Sequence, residues 1–147
     1  MRKIDRIFVH CTASAQSWGV RELKDEFRRK GWNNPGYHYA VTQDGVAHEL
    51  LAEGEVANGV KGYNAHSIHV AYVGGIRGKD GKLVGVDNRT PAQKATLRML
   101  LQTLRVRYPE ARILGHRDIW GKSPEKWQKE CPCLMRRLSM GIFRWAN

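Results

Sequence analysis

Asp44-Gly45 stands between two runs rich in β-branched and aromatic residues, Tyr37 to Thr42 and Val46 to Leu51. A tight hairpin turn needs positive φ angles, which Gly adopts without a Cβ penalty and Asp tolerates. The pair therefore predicts a β-hairpin, and a lone hairpin is marginal in water unless further strands or helices cover its apolar side. The flanking sequence supplies both. Ile4 to His10 reads as a largely buried first strand, Ile68 to Val73 as another, and Ile113-Leu114 as a short strand reaching Gly115-His116. Val20, Leu23, Phe27 and Lys30 recur at helical spacing, with Arg21, Lys24, Asp25 and Arg28 on the other side, and the pattern stops at Gly31. Thr90-Pro91 reads as an N-cap followed by proline at the first helical position, and Leu97, Leu100, Leu101, Leu104 and Tyr108 then line one face until Pro109. Asp80-Gly81 marks another turn, and Leu134, Leu138, Ile142 and Trp145 space a last helix. This order predicts a single α/β domain over residues 1–147, with a central mixed β-sheet flanked by helices.

At 147 residues the chain suffices for one core. No apolar run approaches the roughly 18 to 20 residues of a membrane helix, and Met1-Arg2-Lys3 leads into Ile4-Asp5-Arg6 rather than an apolar signal core. The expectation is synthesis in the cytoplasm without a signal peptide, and no membrane insertion. Lys and Arg number 25 against 14 acidic residues, a net charge of +11 that draws the surface to polyanions. Nucleic acid, anionic lipid and anionic cell-wall polymer all satisfy that charge. Three cysteines, Cys11, Cys131 and Cys133, are an odd number that argues for thiols or metal ligation over a disulfide framework.

A catalytic zinc needs three ligands from His, Cys or carboxylate and one open position, and distant strand ends can supply them. His10 closes the first strand, His116 closes the short strand after the long helix, and Cys131 opens the final segment ahead of a proline. By spacing alone this trio is one choice among six histidines and three cysteines, most of which are ordinarily packed or surface residues.

Seven colinear segments narrow the choice: Val9-His10-Cys11-Thr12-Ala13, Gly36-Tyr37-His38-Tyr39, Lys61-Gly62-Tyr63-Asn64 with Ser67-Ile68, Val73-Gly74-Gly75, Thr90-Pro91-Ala92-Gln93, Gly115-His116-Arg117-Asp118 and Lys129-Glu130-Cys131-Pro132. In this order the chain resembles the phage-lysozyme-type N-acetylmuramoyl-L-alanine amidases, relatives of the peptidoglycan recognition proteins. The resemblance runs from about Ile4 to Pro132. It implies the fold of that family and hydrolysis of the amide between N-acetylmuramic acid and L-alanine. It further implies Zn2+ held by His10, His116 and Cys131, with Tyr37 beside the metal's water and Lys129 reaching the scissile carbonyl. Asn64 and Ser67 resemble the family's substrate-side loop, although turn formation explains both residue types equally well. Asp118 is expected either as an acceptor behind a ligand's ring N–H or as a turn carboxylate. His38, next to Tyr37, is expected on the opposite side of its strand as a structural residue, and Cys11 as a buried thiol.

The implied partner is peptidoglycan, with the protein a monomer that has no stable nucleic-acid partner. The implied setting is a phage or prophage endolysin, made in the bacterial cytoplasm and acting on the wall after release or transport. The alternatives are a non-catalytic peptidoglycan-binding module and a polymerase- or nucleic-acid-associated regulator. The chain departs from the pattern in three places. Many relatives carry a histidine near Gly59, where this chain reads Ala57-Asn58-Gly59-Val60; Cys131-Pro132 continues as Cys133-Leu134-Met135; and the loop from His116 to Cys131 is long, with Trp120 and Trp127.

Overall fold

The computed structural model describes residues 2–115 and residue 118. The expected last helix, the long loop with its tryptophans, and His116, Lys129, Cys131 and Cys133 lie outside the described residues.

Five strands form the central sheet: β1 (Arg6–Cys11), β2 (Tyr39–Val41), β3 (Ala47–Glu49), β4 (Ser67–Tyr72) and β7 (Arg112–Gly115). Their spatial order is β3-β2-β4-β1-β7. β1 runs parallel to both β4 and β7, β2 runs parallel to β4, and β3 returns antiparallel to β2. The sheet is therefore mixed, as the order of sequence elements predicts. The predicted hairpin forms between β2 and β3, with Gly45 at φ +84°. Asp80 and Gly81, both at positive φ, turn a second hairpin of β5 (Ile76–Lys79) and β6 (Lys82–Gly85), which stands as a separate two-stranded sheet. Among the described residues no helix is long and apolar enough to cross a membrane.

Two helices lie on opposite faces. Strand alternation sends Ile7, Val9, Cys11, Ile68, Val70 and Tyr72 to one face, where they pack with Leu97, Leu101 and Leu104 of α2 (Pro91–Arg107). The other face carries Ala40 and Val73 against Leu23 and Phe27 of α1 (Val20–Arg29), with Trp18, Tyr37 and Leu50 alongside. Leu23 and Phe27 are the buried residues of the predicted amphipathic stripe, and the helix yields at Lys30 and Gly31, the latter at φ +78°.

The start of α2 explains why Thr90-Pro91-Ala92-Gln93 reads as a unit. Thr90 Oγ1 accepts the Gln93 N–H at 3.0 Å, and Gln93 Oε1 accepts the Thr90 N–H at 2.9 Å. The fully buried Gln93 amide then donates to the carbonyls of Val41 and Val73, each at 3.0 Å, tying the helix to the ends of β2 and β4. One side chain thus caps a helix, satisfies the buried Val73 carbonyl and adds a second donor to the Val41 carbonyl, which also accepts the Val73 N–H at 2.9 Å.

Candidate active site

β1 delivers His10 to the C-terminal edge of the parallel strands, the edge at which open α/β sheets bind ligands. His10 belongs to the α1 face and is only 1% exposed, yet it lines a cleft of about 210 Å³. Thr12, Ala13, Lys30, Trp32, Tyr37 and Gly59 contribute to the same cleft. The Tyr37 ring centroid lies 5.2 Å from that of His10, and its hydroxyl makes a long 3.5 Å hydrogen bond to the Cys11 carbonyl. Phe27 stacks on Trp32 at 5.8 Å and meets Tyr37 edge-on at 5.7 Å, so α1 builds one wall. Lys30 lies 4.8 Å from the Trp32 ring centroid, which places a cation on the rim.

Three buried histidines stand in a row beneath this cleft. His10 Nε2 is 2.9 Å from His69 Nδ1, and the His69 ring stacks between Phe8 at 5.4 Å and His38 at 5.9 Å. His38 Nδ1 accepts the His69 backbone N–H at 3.0 Å, so its ring proton sits on Nε2, which donates to the Glu55 carbonyl at 2.8 Å. Burial pushes the His38 pKa down, which keeps the ring neutral for that double role. Its structural role is therefore written in its bonds. Its direction differs from the expected alternation: Tyr37 and His38 both reach the histidine row, because Tyr37 precedes β2 and is not held to the strand's alternation.

The remaining sequence-predicted residues divide clearly. Gly115 at the end of β7 pairs with Val9, one residue before His10, and the next residue in the chain is His116. Asp118 Oδ2 accepts the Gly115 N–H at 2.7 Å, the turn-carboxylate alternative for that residue. Asn64 Oδ1 accepts the Val60 N–H at 2.8 Å. Ser67 is fully buried and donates its hydroxyl to the Tyr63 carbonyl. Ser67 pairs with Arg6 at the start of β1, four register steps from His10, and neither Asn64 nor Ser67 lines the cleft. Their contacts build the loop that carries Gly59. Cys11 packs in the α2-side core. Among the described residues no three His, Cys, Asp or Glu side chains cluster as metal ligands. The residue that sequence reasoning passed over is His69, and its signal is a histidine inside the otherwise apolar run Ile68 to Val73.

Comparison with known proteins gives this cleft its context. The family described as N-acetylmuramoyl-L-alanine amidase matches residues 1–133. The chain belongs to that amidase family. The endolysin of Escherichia phage T7 is 41% identical over 143 residues, covering 96% of this chain and 84% of the relative. The Ph2119 endolysin of a Thermus scotoductus bacteriophage superposes with a TM-score of 0.73 at 25% identity, over 97% of this chain and 86% of that one. Peptidoglycan recognition protein-LE, solved in complex with tracheal cytotoxin, a monomeric diaminopimelic acid-type peptidoglycan, shares the fold at TM-score 0.71 and 21% identity, over 99% of this chain and 82% of that one. Amidase membership also accounts for what the fold keeps open. The α2 side of the sheet is sealed by leucines, while the α1 side leaves an imidazole and a phenol at the floor of a cleft.

Proposed function

We propose that the protein is an endolysin-type, zinc-dependent amidase that hydrolyses the bond between the lactyl group of N-acetylmuramic acid and L-alanine in peptidoglycan. The observation that carries this reading is the His10–Tyr37 pair at the floor of an open cleft in a chain of the amidase family. The residues fit a zinc ion. His10 is a buried imidazole whose ring is held by a hydrogen bond on one nitrogen, the arrangement that orients a metal-binding histidine. His116 follows directly on a strand paired beside His10. Cys131 would complete a two-imidazole, one-thiolate donor set, whose softness suits zinc.

When bound, zinc would supply a Lewis acid at the cleft floor, which polarises an amide carbonyl and makes water acidic enough to attack near neutral pH. The chain's own groups do the rest. Tyr37, hydroxyl toward the same edge as His10, orients the attacking water. Lys129 stabilises negative charge developing on the carbonyl oxygen. Water adds hydroxyl to the carbonyl carbon, the C–N bond breaks, and a proton passes to the leaving nitrogen. The products are a lactyl carboxylate and a stem peptide with a free L-alanine amino terminus. Asn64 and Ser67 shape the loop beside the cleft, and residues 1–147 act as one monomeric domain on the wall polymer, whose anionic groups meet a chain of net charge +11.

The test is release of soluble stem peptides with free L-alanine amino termini from purified peptidoglycan, with and without chelator, by wild type, Cys131→Ser and Lys129→Ala. Chelator-sensitive release that both substitutions abolish supports the reading. Wall binding without release by metal-loaded wild type sinks it and leaves a recognition module.

A further inference from the structure

His69 has no part in the proposed chemistry, yet its ring is hydrogen-bonded to His10. It is fully buried in the middle of β4 and does not line the cleft, whereas His10 does. It therefore stands beside His10 without lining the cleft itself. Three constraints hold its ring there. Phe8 and His38 sandwich it at 5.4 and 5.9 Å with near-parallel planes, 8° and 1° off. Its backbone N–H is fixed by His38 Nδ1, which is itself anchored through Nε2 to the Glu55 carbonyl. Its Nδ1 edge abuts the backbone of Gly59: a Cβ at residue 59 would lie 2.2 Å from His69 Nδ1 and 2.5 Å from Cε1 and Cγ. Real Cβ atoms do not approach that closely, so the strand imidazole fills the volume a side chain at 59 would need. Gly59 and His69 form a matched pair: a side chain at 59, histidine included, has no room while the His69 ring stands where it does.

We propose that His69 is a positioning residue for His10: its Nδ1 accepts a hydrogen bond from His10 Nε2–H and so fixes the tautomer in which His10 Nδ1 carries the lone pair. Two neutral imidazoles joined nitrogen to nitrogen must have one donor and one acceptor. The bond uses Nε2 of His10, so a ligand role at this ring falls to Nδ1. A ligating nitrogen carries a lone pair, which puts the proton on Nε2 and makes His69 Nδ1 the acceptor. A hydrogen-bonded partner behind a metal-binding histidine raises its basicity and removes ring rotation that binding would otherwise have to freeze. The inference rests on the zinc reading for the direction of the bond and for its consequence, and the tautomer itself is testable without metal.

The experiment has two arms. Long-range ¹H–¹⁵N imidazole spectra of the metal-free full chain at pH above 7.5, assigned with His69→Phe, read the tautomers directly. The expected result is His10 protonated at Nε2 and perturbed by the substitution; His10 protonated at Nδ1, with Nε2 bearing the lone pair, overturns the proposal. Zinc affinity by chelator competition is then measured for wild type, His69→Phe, which keeps a stacked ring without a nitrogen, and Gly59→Ala, which pushes the ring away. A loss of about 10- to 100-fold is expected for each, with the double variant no worse than the worse single, since both act through one ring. Affinity within twofold of wild type in a folded His69→Phe overturns the proposal. A wild type that takes up no zinc instead fails the zinc reading, and the tautomer arm still decides whether His69 holds His10.

Discussion

The two faces of the central sheet are built from alternate residues of the same strands, and they do opposite things. On the α2 face, Ile7, Val9, Ile68, Val70 and Tyr72 meet Leu97, Leu101 and Leu104 in a core without an imidazole. On the α1 face, the intervening positions of the same strands hold Phe8, His10 and His69, and His38 joins them from the residue before β2. Burying three imidazoles costs desolvation that leucines avoid, so each must find hydrogen-bond partners inside the fold. Stability is concentrated where nothing reacts, and polar chemistry is concentrated where the sheet edge opens to a cleft.

The comparison breaks most sharply at His10. His10→Ala is expected to lower amidase turnover by at least about 10³-fold, because under the proposed zinc mechanism it removes a ligand, while circular dichroism shows a folded protein; a hydrolysis rate near wild type would assign the chemistry elsewhere. The counterpart on the opposite face is Leu101→Ala, expected to cost about 2–5 kcal/mol in urea unfolding through loss of packing and a residual cavity. Its turnover well below the melting temperature should match wild type, and a catalytic defect there would deny that the faces are separable. Tyr37→Phe should reduce turnover by about 10²-fold with zinc content unchanged; loss of zinc together with activity would make Tyr37 a structural element of the site. Gln93→Leu strands the Val73 carbonyl, while Val41 keeps the Val73 N–H, and should destabilise by about 1–3 kcal/mol, read as a shifted unfolding midpoint at unchanged slope.

The smallest effect concerns pH. Burial depresses the pKa of His38, opposed by its hydrogen bond to the Glu55 carbonyl; Arg2 nearby lowers it further and Glu53 raises it. The unfolded chain therefore binds a proton that the folded chain refuses. The stability associated with neutral His38 is complete above about pH 6.5, the unfolded value, and declines as pH falls toward the folded one. Urea midpoints at pH 7.5 and 5.5 check this: His38→Gln should flatten the difference, and an equally steep dependence in that variant would place the titration on another group.

Most of the elements were legible because their signals are local. Asp44-Gly45, the Thr90-Pro91 cap and the Leu23/Phe27 spacing each depend on a few neighbouring residues, and each forms as predicted. The same locality failed at Tyr37 and His38. Alternation predicted opposite sides, but Tyr37 lies ahead of the strand, where neighbouring side chains need not alternate. For Asn64 and Ser67 the family resemblance offers a substrate-side role and turn chemistry offers a local one; their hydrogen-bond partners, the Val60 N–H and the Tyr63 carbonyl, lie within their own loop.

By itself the sequence determined the strands of the central sheet and both α-helices among the described residues, that they assemble as a mixed α/β fold, and, through seven colinear segments, the family. These follow from backbone preferences and periodicities that act over a few residues. Only the tertiary structure decided that His69 stands against His10. The two residues are 59 positions apart and belong to strands whose parallel register, Phe8 with His69 and His10 with Ala71, is set by the whole sheet. Only there does a glycine at position 59 prove to be the space that a histidine at 69 requires.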